Sequence, residues 1–542
     1  MVSANSAASS STQDLIISVD IGTTSIRAIA FNKLAEVVST VQVEYDQIYP
    51  HPGWHEQKMT DLIGTVWSCL DGVAEKLEEM HYKLDQVKGV GITNQRETTC
   101  VWSKSKGEGI CNAIAWPDTR NTDTIRKLAE QSDKGLDALK KTTGLPLSTY
   151  FSGPKLRWMM DNVPEVKDAH DSGDLYFGTV DSWVLWNMTG GLDGGVHLTD
   201  CTNASRTMFM DLETLDWSQD CLDFFEVDKG CLPKIVSNAE VFGKVSQGKF
   251  KGFPIAGLIG DQQAALVGNK CIETGSAKNT YGTGAFMLFN TGHEIVPSTH
   301  GLLTTVGYRS SPQSKPVYAL EGSIAVAGSS VKWLRDSMGL IGDSSEVGRL
   351  AAEVEDAGGL FFVPAFSGLF APYWDDQASG CIIGITGYTT KHHLARATLE
   401  ATCFTTKAIL DAMAKDSKTT LSVLRVDGGM TNSDICMQLQ SDILGISVER
   451  PQMRESTALG SAICAGVALG LWGWSMEDPA SLSRVNTAEA TIFKPQKDEE
   501  DREIRYEGWN RAVERSRGWK NPTFVRAKSA FQKDEVVITR GN

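Results

Sequence analysis

The stretch GLIGDQQAAL, residues 257–266, places a carboxylate where a strand is predicted to end and a helix to begin. The apolar run before Asp261 predicts the strand, and the Gln-Gln-Ala-Ala-Leu that follows predicts the start of a packed helix. Because ligands bind at the carboxyl ends of strands in open α/β sheets, Asp261 could accept a proton from a substrate hydroxyl. The same carboxylate could instead cap the helix N-terminus. The sequence leaves both interpretations open.

A second candidate site lies in GVGITNQRETT, residues 89–99, where an apolar strand ends near Arg96 and Glu97. A guanidinium only donates hydrogen bonds and a carboxylate only accepts them, so the pair could satisfy the hydroxyls of a small polyol. The alternative is an exposed ion pair worth less than about 1 kcal/mol.

Two tight turns between apolar runs could bind phosphate: DIGTTS, residues 20–25, and YGTG, residues 281–284. Such turns present consecutive backbone N–H groups and hydroxyls to phosphate oxygens. Asp20, at the end of the first strand, could then hold a hydrated Mg²⁺ ion. Plain hairpin turns are the alternative. A P-loop is excluded, since GKVSQGKF, residues 243–250, has Phe250 where Ser or Thr must bind magnesium.

Strands and helices alternate along the chain, which predicts an α/β protein, and 542 residues are too many for one hydrophobic core. The turn-and-strand pattern GTTSIRAIAFN returns as GTGAFMLFN, which suggests two domains of related topology. We predict a disordered leader over residues 1–13 and domains over residues 14–269 and 270–474. A polar, helical extension would follow over residues 475–542.

Composition narrows the function classes. A net charge of −15 argues against general affinity for nucleic acid. Eleven cysteines without a Cys-x-x-Cys pair suit reduced thiols in the cytoplasm, and the N-terminus lacks the pattern of a signal peptide. The run at residues 457–474 has no charge but is rich in Ala and Gly. We predict that it forms a helix buried inside the second domain and not a transmembrane segment.

These motifs together resemble the glycerol kinase family, a branch of the FGGY-type carbohydrate kinases, and the resemblance covers residues 15–520. The resemblance implies two actin-like, ribonuclease-H-like domains with an interdomain catalytic cleft. It also implies transfer of phosphate from ATP with Mg²⁺ to glycerol, giving sn-glycerol 3-phosphate for glycerol catabolism and glycerolipid synthesis. The blocks that carry it are DIGTTS, NQRETT, YFSGPKLRW, GTVDSWVLWNMTG, TDCTNASRT, GDQQAAL, KNTYGTGAFML, VPAFSGLFAPYW and LRVDGGM.

The resemblance also implies roles for individual residues. Asp261 would be the general base. The positions that match glycerol-contacting residues are Arg96, Glu97, Tyr150 and Asp261, with Gln262 beside them and Trp116 and Phe286 against the carbon chain. The positions that match phosphate- and nucleotide-binding residues are Thr23, Thr24, Ser25, Arg27, Thr283, Gly328 and Gly429. A homo-oligomer, dimeric or tetrameric, and a cytoplasmic location would follow.

Three positions on the nucleotide side depart from the family pattern. Ile21 stands where many members have Gln, Lys332 replaces a more usual Gln, and Ser433 stands where Asn is common. No clear match to the bacterial fructose-bisphosphate regulatory site is found around GKFKGF. The sequence leaves two alternatives open: a kinase of another small polyol or ketose on the same scaffold, and a non-catalytic ATP-gated protein of the actin or heat-shock type.

Overall fold

A computed structural model describes residues 13–487 and 490–520. The predicted leader, apart from residue 13, and the final residues of the predicted extension lie outside the described residues. The described residues form five sheets, two of them large.

The strands of the first half are β1 (Leu15–Ile21), β2 (Ser25–Phe31), β3 (Val37–Glu44), β4 (Glu56–Gln57), β5 (Val87–Asn94), β6 (Thr99–Ser103), β7 (Ala113–Ile114), β8 (Leu175–Thr179), β9 (Leu198–Asp200), β10 (Lys234–Val236), β11 (Ala239–Lys244) and β12 (Pro254–Gly260). Those of the second half are β13 (Ala277–Tyr281), β14 (Ala285–Gly292), β15 (Leu303–Tyr308), β16 (Val317–Ile324), β17 (Phe361–Val363), β18 (Cys381–Ile383), β19 (Val423–Asp427), β20 (Ser447–Arg450) and β21 (Thr491–Phe493).

The helices of the first half are α1 (Met59–Glu79), α2 (Thr122–Glu130), α3 (Lys140–Thr143), α4 (Ser152–Asn162), α5 (Pro164–Asp171), α6 (Val180–Met188), α7 (Cys201–Ala204), α8 (Gln219–Phe225) and α9 (Asp261–Gly268). Those of the second half are α10 (Gly328–Asp336), α11 (Glu346–Ala352), α12 (Lys391–Ser417), α13 (Asp434–Leu444), α14 (Ser456–Ala468) and α15 (Glu499–Ser516).

The two large sheets share one topology. The first has the order β11-β12-β5-β1-β2-β3, and the second has the order β15-β16-β14-β13-β19-β20-β21. Each begins with an antiparallel meander, β1-β2-β3 or β13-β14-β16, whose first strand also pairs in parallel with a later strand, β5 or β19. A further parallel strand follows in each, β12 or β20. The predicted fold class, α/β with two actin-like domains, is confirmed, as is the predicted relation between the two hairpins.

Helix α14 corrects one prediction. It ends at Ala468, before the predicted 474, and it packs on α9 and on β1, β5 and β12 of the first sheet, not inside the second domain. The close packing through small residues is as predicted. A Cβ added to Gly460 would lie 1.9 Å from the main-chain oxygen of Ala264, and one added to Gly91 would lie 2.3 Å from that of Ser461. Backbone therefore meets backbone where α14 crosses the first domain.

The C-terminal segment completes the second domain. Strand β21 pairs with β20 of the second sheet. Helix α15, which lies in the predicted polar extension, buries Trp509, Ala512 and Val513 in the core of that domain, while most of its other residues are charged or polar. All eleven cysteines are free thiols, and none is exposed. Across residues 13–487 and 490–520, no helix has the length and apolar character needed to cross a membrane.

Candidate active site

The first candidate residues converge because their strands are neighbours. Strands β5 and β12 pair in parallel, so the residues that follow them emerge at the same edge of the sheet. Nε of Arg96 lies 3.2 Å from Oδ1 of Asp261. Arg96 and Glu97 are only 2% and 1% exposed, so the alternative of a surface ion pair is wrong. Glu97 also has a left-handed backbone, with φ of 63°, a conformation that costs a non-glycine residue about 1 kcal/mol or more.

Asp261 is not the cap of helix α9. The N-cap is Gly260, with extended φ and ψ and no side-chain capping bond, and Asp261 is the first helical residue. Its Oδ1 accepts a 2.7 Å hydrogen bond from the amide of Gln262. Burial raises the pKa of the Asp261 carboxyl, and the positive charges of Arg96 and Lys278 oppose that rise only in part. A partly exposed carboxylate with a raised pKa is suited to accept a proton.

Three aromatic side chains form one wall beside these charges. The rings of Trp116 and Tyr150 lie 5.6 Å apart, and those of Trp116 and Phe286 lie 6.1 Å apart, both in edge contacts. Phe286 belongs to β14 of the second sheet, and its ring lies 6.0 Å from Cζ of Arg96. The site therefore lies where the two domains meet. It has apolar faces on one side and charged groups on the other, as a small polyol requires.

The turn between β1 and β2 connects to this wall. The indole N–H of Trp116 donates a 3.0 Å hydrogen bond to Oγ1 of Thr23. Thr24 is exposed. The hydroxyl of Ser25 accepts a hydrogen bond from Nε2 of the Gln42 side chain. The turn thus adjoins the aromatic wall and leaves Thr24 accessible.

Acidic groups and Arg27 surround the end of β1. Nη1 of Arg27 lies 2.6 Å from Oε2 of Glu455. Arg27 is also the residue of β2 that pairs with Asp20 of β1. Burial raises the pKa of Asp20 to about 7; Arg27 lowers it, while the negative charges of Glu455 and Asp261 raise it further. A cation here would relieve that repulsion, so the donor set fits a hydrated Mg²⁺ that takes its other ligands from water and phosphate. Within the described parts of the chain, no group of three or more His, Cys, Asp or Glu side chains could hold a metal alone.

The turn between β13 and β14 is fixed to the start of α10. The main-chain oxygen of Thr283 accepts hydrogen bonds from the amides of Ala327 and Ser329, at 2.9 and 3.0 Å. A Cβ on Gly328 would lie 2.6 Å from the oxygen of Gly282, so a side chain there would force the turn and helix apart. The side chain of Thr283 is exposed beside the N-terminus of α10.

Comparison with known proteins decides the family. Residues 15–268 match the N-terminal domain of the FGGY family of carbohydrate kinases, and residues 277–469 match its C-terminal domain. The chain belongs to the FGGY family. The chain is 49% identical to the glycerol kinase of Pseudarthrobacter chlorophenolicus over 93% of its own length and 98% of that protein.

Solved structures agree with this assignment. The crystal structure of Plasmodium falciparum glycerol kinase with ADP matches this FGGY member with a TM-score of 0.85. The two sequences are 37% identical, and the match covers 93% of this chain and 98% of the other. A ligand-bound xylulose kinase from Lactobacillus acidophilus has a TM-score of 0.78 at 20% identity, covering 96% of this chain and 99% of the other, so that likeness concerns the fold alone.

The remaining predicted nucleotide residues of this FGGY member lie around α10 and α13. Lys332 is exposed on α10, and Gly429 opens a short 3₁₀ turn after β19. Ser433 is the N-cap of α13, with its hydroxyl accepting from the amide of Cys436 at 3.4 Å. That hydroxyl already has a structural partner, so its role toward a nucleotide stays a prediction, as do the roles of Lys332 and Gly429.

Four buried charged residues that the sequence did not single out surround the site. Glu321, on β16, accepts two hydrogen bonds from Arg96, and Arg206 donates to Glu97. The other two are Lys278, which donates to Gln262, and Lys155, which donates to the main-chain oxygens of Thr149 and Tyr150. Three of the four lie inside the motif blocks TDCTNASRT, YFSGPKLRW and KNTYGTGAFML, namely Arg206, Lys155 and Lys278. Glu321 lies outside every block, and a single glutamate in the strand VYALEGSI was its only signal.

Proposed function

We propose that the chain phosphorylates glycerol with ATP to give sn-glycerol 3-phosphate. The observation that carries the proposal is the approach of Arg96 to Asp261 beside a wall of three aromatic rings, in a chain that matches glycerol kinases over 93% of its length. Arg96 would donate to glycerol hydroxyls, Glu97 would accept from them, and the rings would contact the carbon chain. Charged donors and acceptors opposite an aromatic wall suit a polyol, whose hydroxyls both donate and accept and whose carbon chain is apolar.

Asp261 would act as the general base. Its raised pKa lets the carboxylate take the proton of the attacking hydroxyl as the new oxygen–phosphorus bond forms and the bond to the leaving ADP breaks. Arg96 would keep the carboxylate directed toward the substrate. Enclosure between the domains would exclude water, which competes with glycerol for the phosphoryl group.

The two turns would hold the triphosphate. Thr23, Thr24, Ser25 and Arg27 would contact phosphate oxygens from the first domain, and Thr283 would do so from the second. Asp20 would hold the Mg²⁺ ion, which when bound offsets the negative charge of the phosphates. Gly328, Lys332, Gly429 and Ser433 would lie against the nucleoside. The ADP in the Plasmodium structure supports a nucleotide site in this fold.

A substrate panel tests the proposal. We would measure ATP-dependent turnover with glycerol, dihydroxyacetone, xylulose and erythritol, and we would identify the product of glycerol by its stereochemistry. We expect kcat/KM to be highest for glycerol, because the chain matches glycerol kinases over 93% of its length. A strong preference for xylulose would contradict the proposal and would favour a ketose kinase on the same fold.

We further propose that the enzyme works in the cytoplasm as a homo-oligomer, a dimer or tetramer. The resemblance to glycerol kinases supports the assembly, and the free, reduced cysteines support the compartment. Light scattering on the purified chain would give the assembly state, and cell fractionation would give the location. A monomer at working concentration, or recovery with secreted proteins, would contradict these two points.

A further inference from the structure

Behind the polyol site, four charged side chains form one buried cluster: Arg96, Glu97, Arg206 and Glu321. Glu321 accepts from Nη1 and Nη2 of Arg96 at 2.6 and 3.0 Å, and from Nη2 of Arg206 at 3.2 Å. Nε of Arg206 donates to Oε1 of Glu97 at 2.5 Å. All four are at most 2% exposed, and their charges balance. Glu321 belongs to the second sheet, whereas its two arginine partners belong to the first domain.

Glu321 decides which donors of Arg96 remain for a substrate. An arginine has five N–H donors in a rigid fork. Glu321 takes two of them, and Oε1 of Gln263 takes a third from Nη1 at 3.3 Å. The Nε–H and one Nη2–H remain, and Nε has no hydrogen-bond partner within the described residues although it lies 3.2 Å from Asp261. The bidentate contact with Glu321 therefore turns the free edge of the fork toward Asp261.

Arg206 orients the carboxylate of Glu97, which would accept hydrogen bonds from the substrate. Its bond to Oε1 of Glu97 fixes that carboxylate, whose residue has the left-handed backbone that costs free energy to maintain. The guanidinium also lies 5.6 Å from the ring of Tyr150 and 5.1 Å from that of Phe151. Arg206 thus contacts Glu97, a charged residue of the site, and Tyr150, a residue of its aromatic wall.

We propose that Glu321 and Arg206 are positioning residues for polyol binding. Glu321 reaches from the second domain to orient Arg96 and Arg206, and Arg206 in turn orients Glu97 and Tyr150. Neither residue is placed by the structure in contact with the reacting atoms. The inference rests on the proposed function, since it assigns the task of these residues in binding glycerol. Polyol binding then depends on the contact between the two domains as well as on residues of the first.

The primary test compares Glu321→Gln with a matched control. Glu321→Gln keeps the shape but loses the charge that orients two arginines. We expect the KM for glycerol to rise about 10- to 100-fold, as when a hydrogen bond to a charged group is lost, with the KM for ATP within about twofold. The control is Glu400→Gln, since Glu400 is a buried carboxylate that accepts from Arg396 at 2.9 Å and pairs with Arg505 at 2.7 Å within the second domain. It should lose stability without a change in the KM for glycerol.

A double variant separates positioning from the cost of a buried charge. Arg206→Gln with Glu321→Gln leaves Arg96 and Glu97, so the cluster is again neutral and the chain should fold. Because Arg206 also orients Glu97 and Tyr150, we expect the KM for glycerol to rise at least as much as in Glu321→Gln. If neither glutamine variant folds, Glu321→Asp keeps all four charges and decides the question, with a smaller rise expected in the same KM.

Each outcome has one meaning when the wild-type chain is measured beside the variants. An unchanged KM for glycerol in a folded variant of Glu321 overturns the inference, and so does an equal rise in the Glu400→Gln control. Absence of glycerol turnover in the wild-type chain contradicts the proposed function instead. Calorimetric titration of glycerol into each variant without ATP gives a second readout, in which the dissociation constant should rise by the same factor.

Discussion

The ammonium group of Lys278 donates a 2.6 Å hydrogen bond to Oε1 of Gln262, and so ties a strand of the second sheet to the helix that begins with Asp261. Nε2 of the same glutamine donates to Oδ2 of Asp261 at 3.3 Å. Lys278 also donates to Thr280 and to the main-chain oxygen of Phe286. The proposed base and the aromatic wall are thus held by one buried cation, whose pKa burial lowers to about 8.

Loss of Lys278 should change the pH dependence of the reaction. Lys278 lowers the pKa of Asp261, and Asp261 must be ionised to accept a proton. Lys278→Met removes that positive charge, so the pKa of Asp261 should rise and the acid limb of the kcat/KM profile should move to higher pH. The profile for glycerol measures this, with Lys407→Met, a lysine paired with Asp411 on α12, as control. A limb that stays in place, or moves to lower pH, would contradict the coupling.

Loss of the base should reduce turnover far more than binding. For Asp261→Asn we expect kcat to fall by about 10²- to 10⁴-fold, the usual contribution of a general base. Glycerol affinity should change much less, because Arg96 and Glu97 remain. Single-turnover kinetics and calorimetry would separate the two effects, and Asp216→Asn, at an exposed carboxylate, is the control. Near-normal turnover in Asp261→Asn would show that another group accepts the proton.

Lys155 should affect glycerol binding through Tyr150. Its ammonium donates to the main-chain oxygens of Thr149 and Tyr150 at 2.7 and 2.5 Å, and burial lowers its pKa to about 7. Lys155→Met leaves these oxygens without that donor, so the segment that carries the Tyr150 ring should loosen. We expect a several-fold rise in the KM for glycerol with a smaller change in kcat, and a loss of about 1–3 kcal/mol in the free energy of unfolding. Thermal unfolding and steady-state kinetics would measure both; an unchanged KM would mean that the ring is held by its other contacts.

Two helical glycines should respond to alanine with opposite signs. Gly460 of α14 has no room for a Cβ, so Gly460→Ala should reduce the free energy of unfolding by about 1–3 kcal/mol or more, as overpacked cores do. Gly64 of α1 has no atom within 4 Å of an added Cβ, so Gly64→Ala should stabilise the chain by about 0.5–1 kcal/mol. Chemical denaturation of the two variants tests this. Equal effects would indicate that α14 can shift to make room.

The sequence predicted those parts of the site that lie at strand ends. Arg96, Glu97 and Asp261 each follow an apolar run, and the structure brings them together because β5 and β12 are neighbours. Both hairpins were also predicted, since Gly-Thr between two apolar runs indicates a tight turn, and the structure has both antiparallel strand pairs. The local sequence pattern was sufficient to predict site residues that lie directly after a strand or in a hairpin turn.

What the sequence could not supply was the identity of distant partners. Glu321 meets Arg96 across 225 positions of the chain and Arg206 across 115, and nothing in the strand around it reports that pairing. The predicted position of helix α14 was wrong for a related reason. A run of small apolar residues indicates burial, but no face of it differs enough from the others to say which sheet it covers.

The position of α14 has a consequence for the order of folding. A ribosome releases the strands of the first sheet long before it makes residue 456, yet Gly91 of β5 and Gly257 of β12 both lie against the main chain of Ser461. Until that helix emerges, one side of the first sheet has no cover and can meet other nascent chains. We therefore expect that a fragment ending near residue 269 would aggregate or recruit chaperones, and that adding α14 as a separate peptide would restore its solubility.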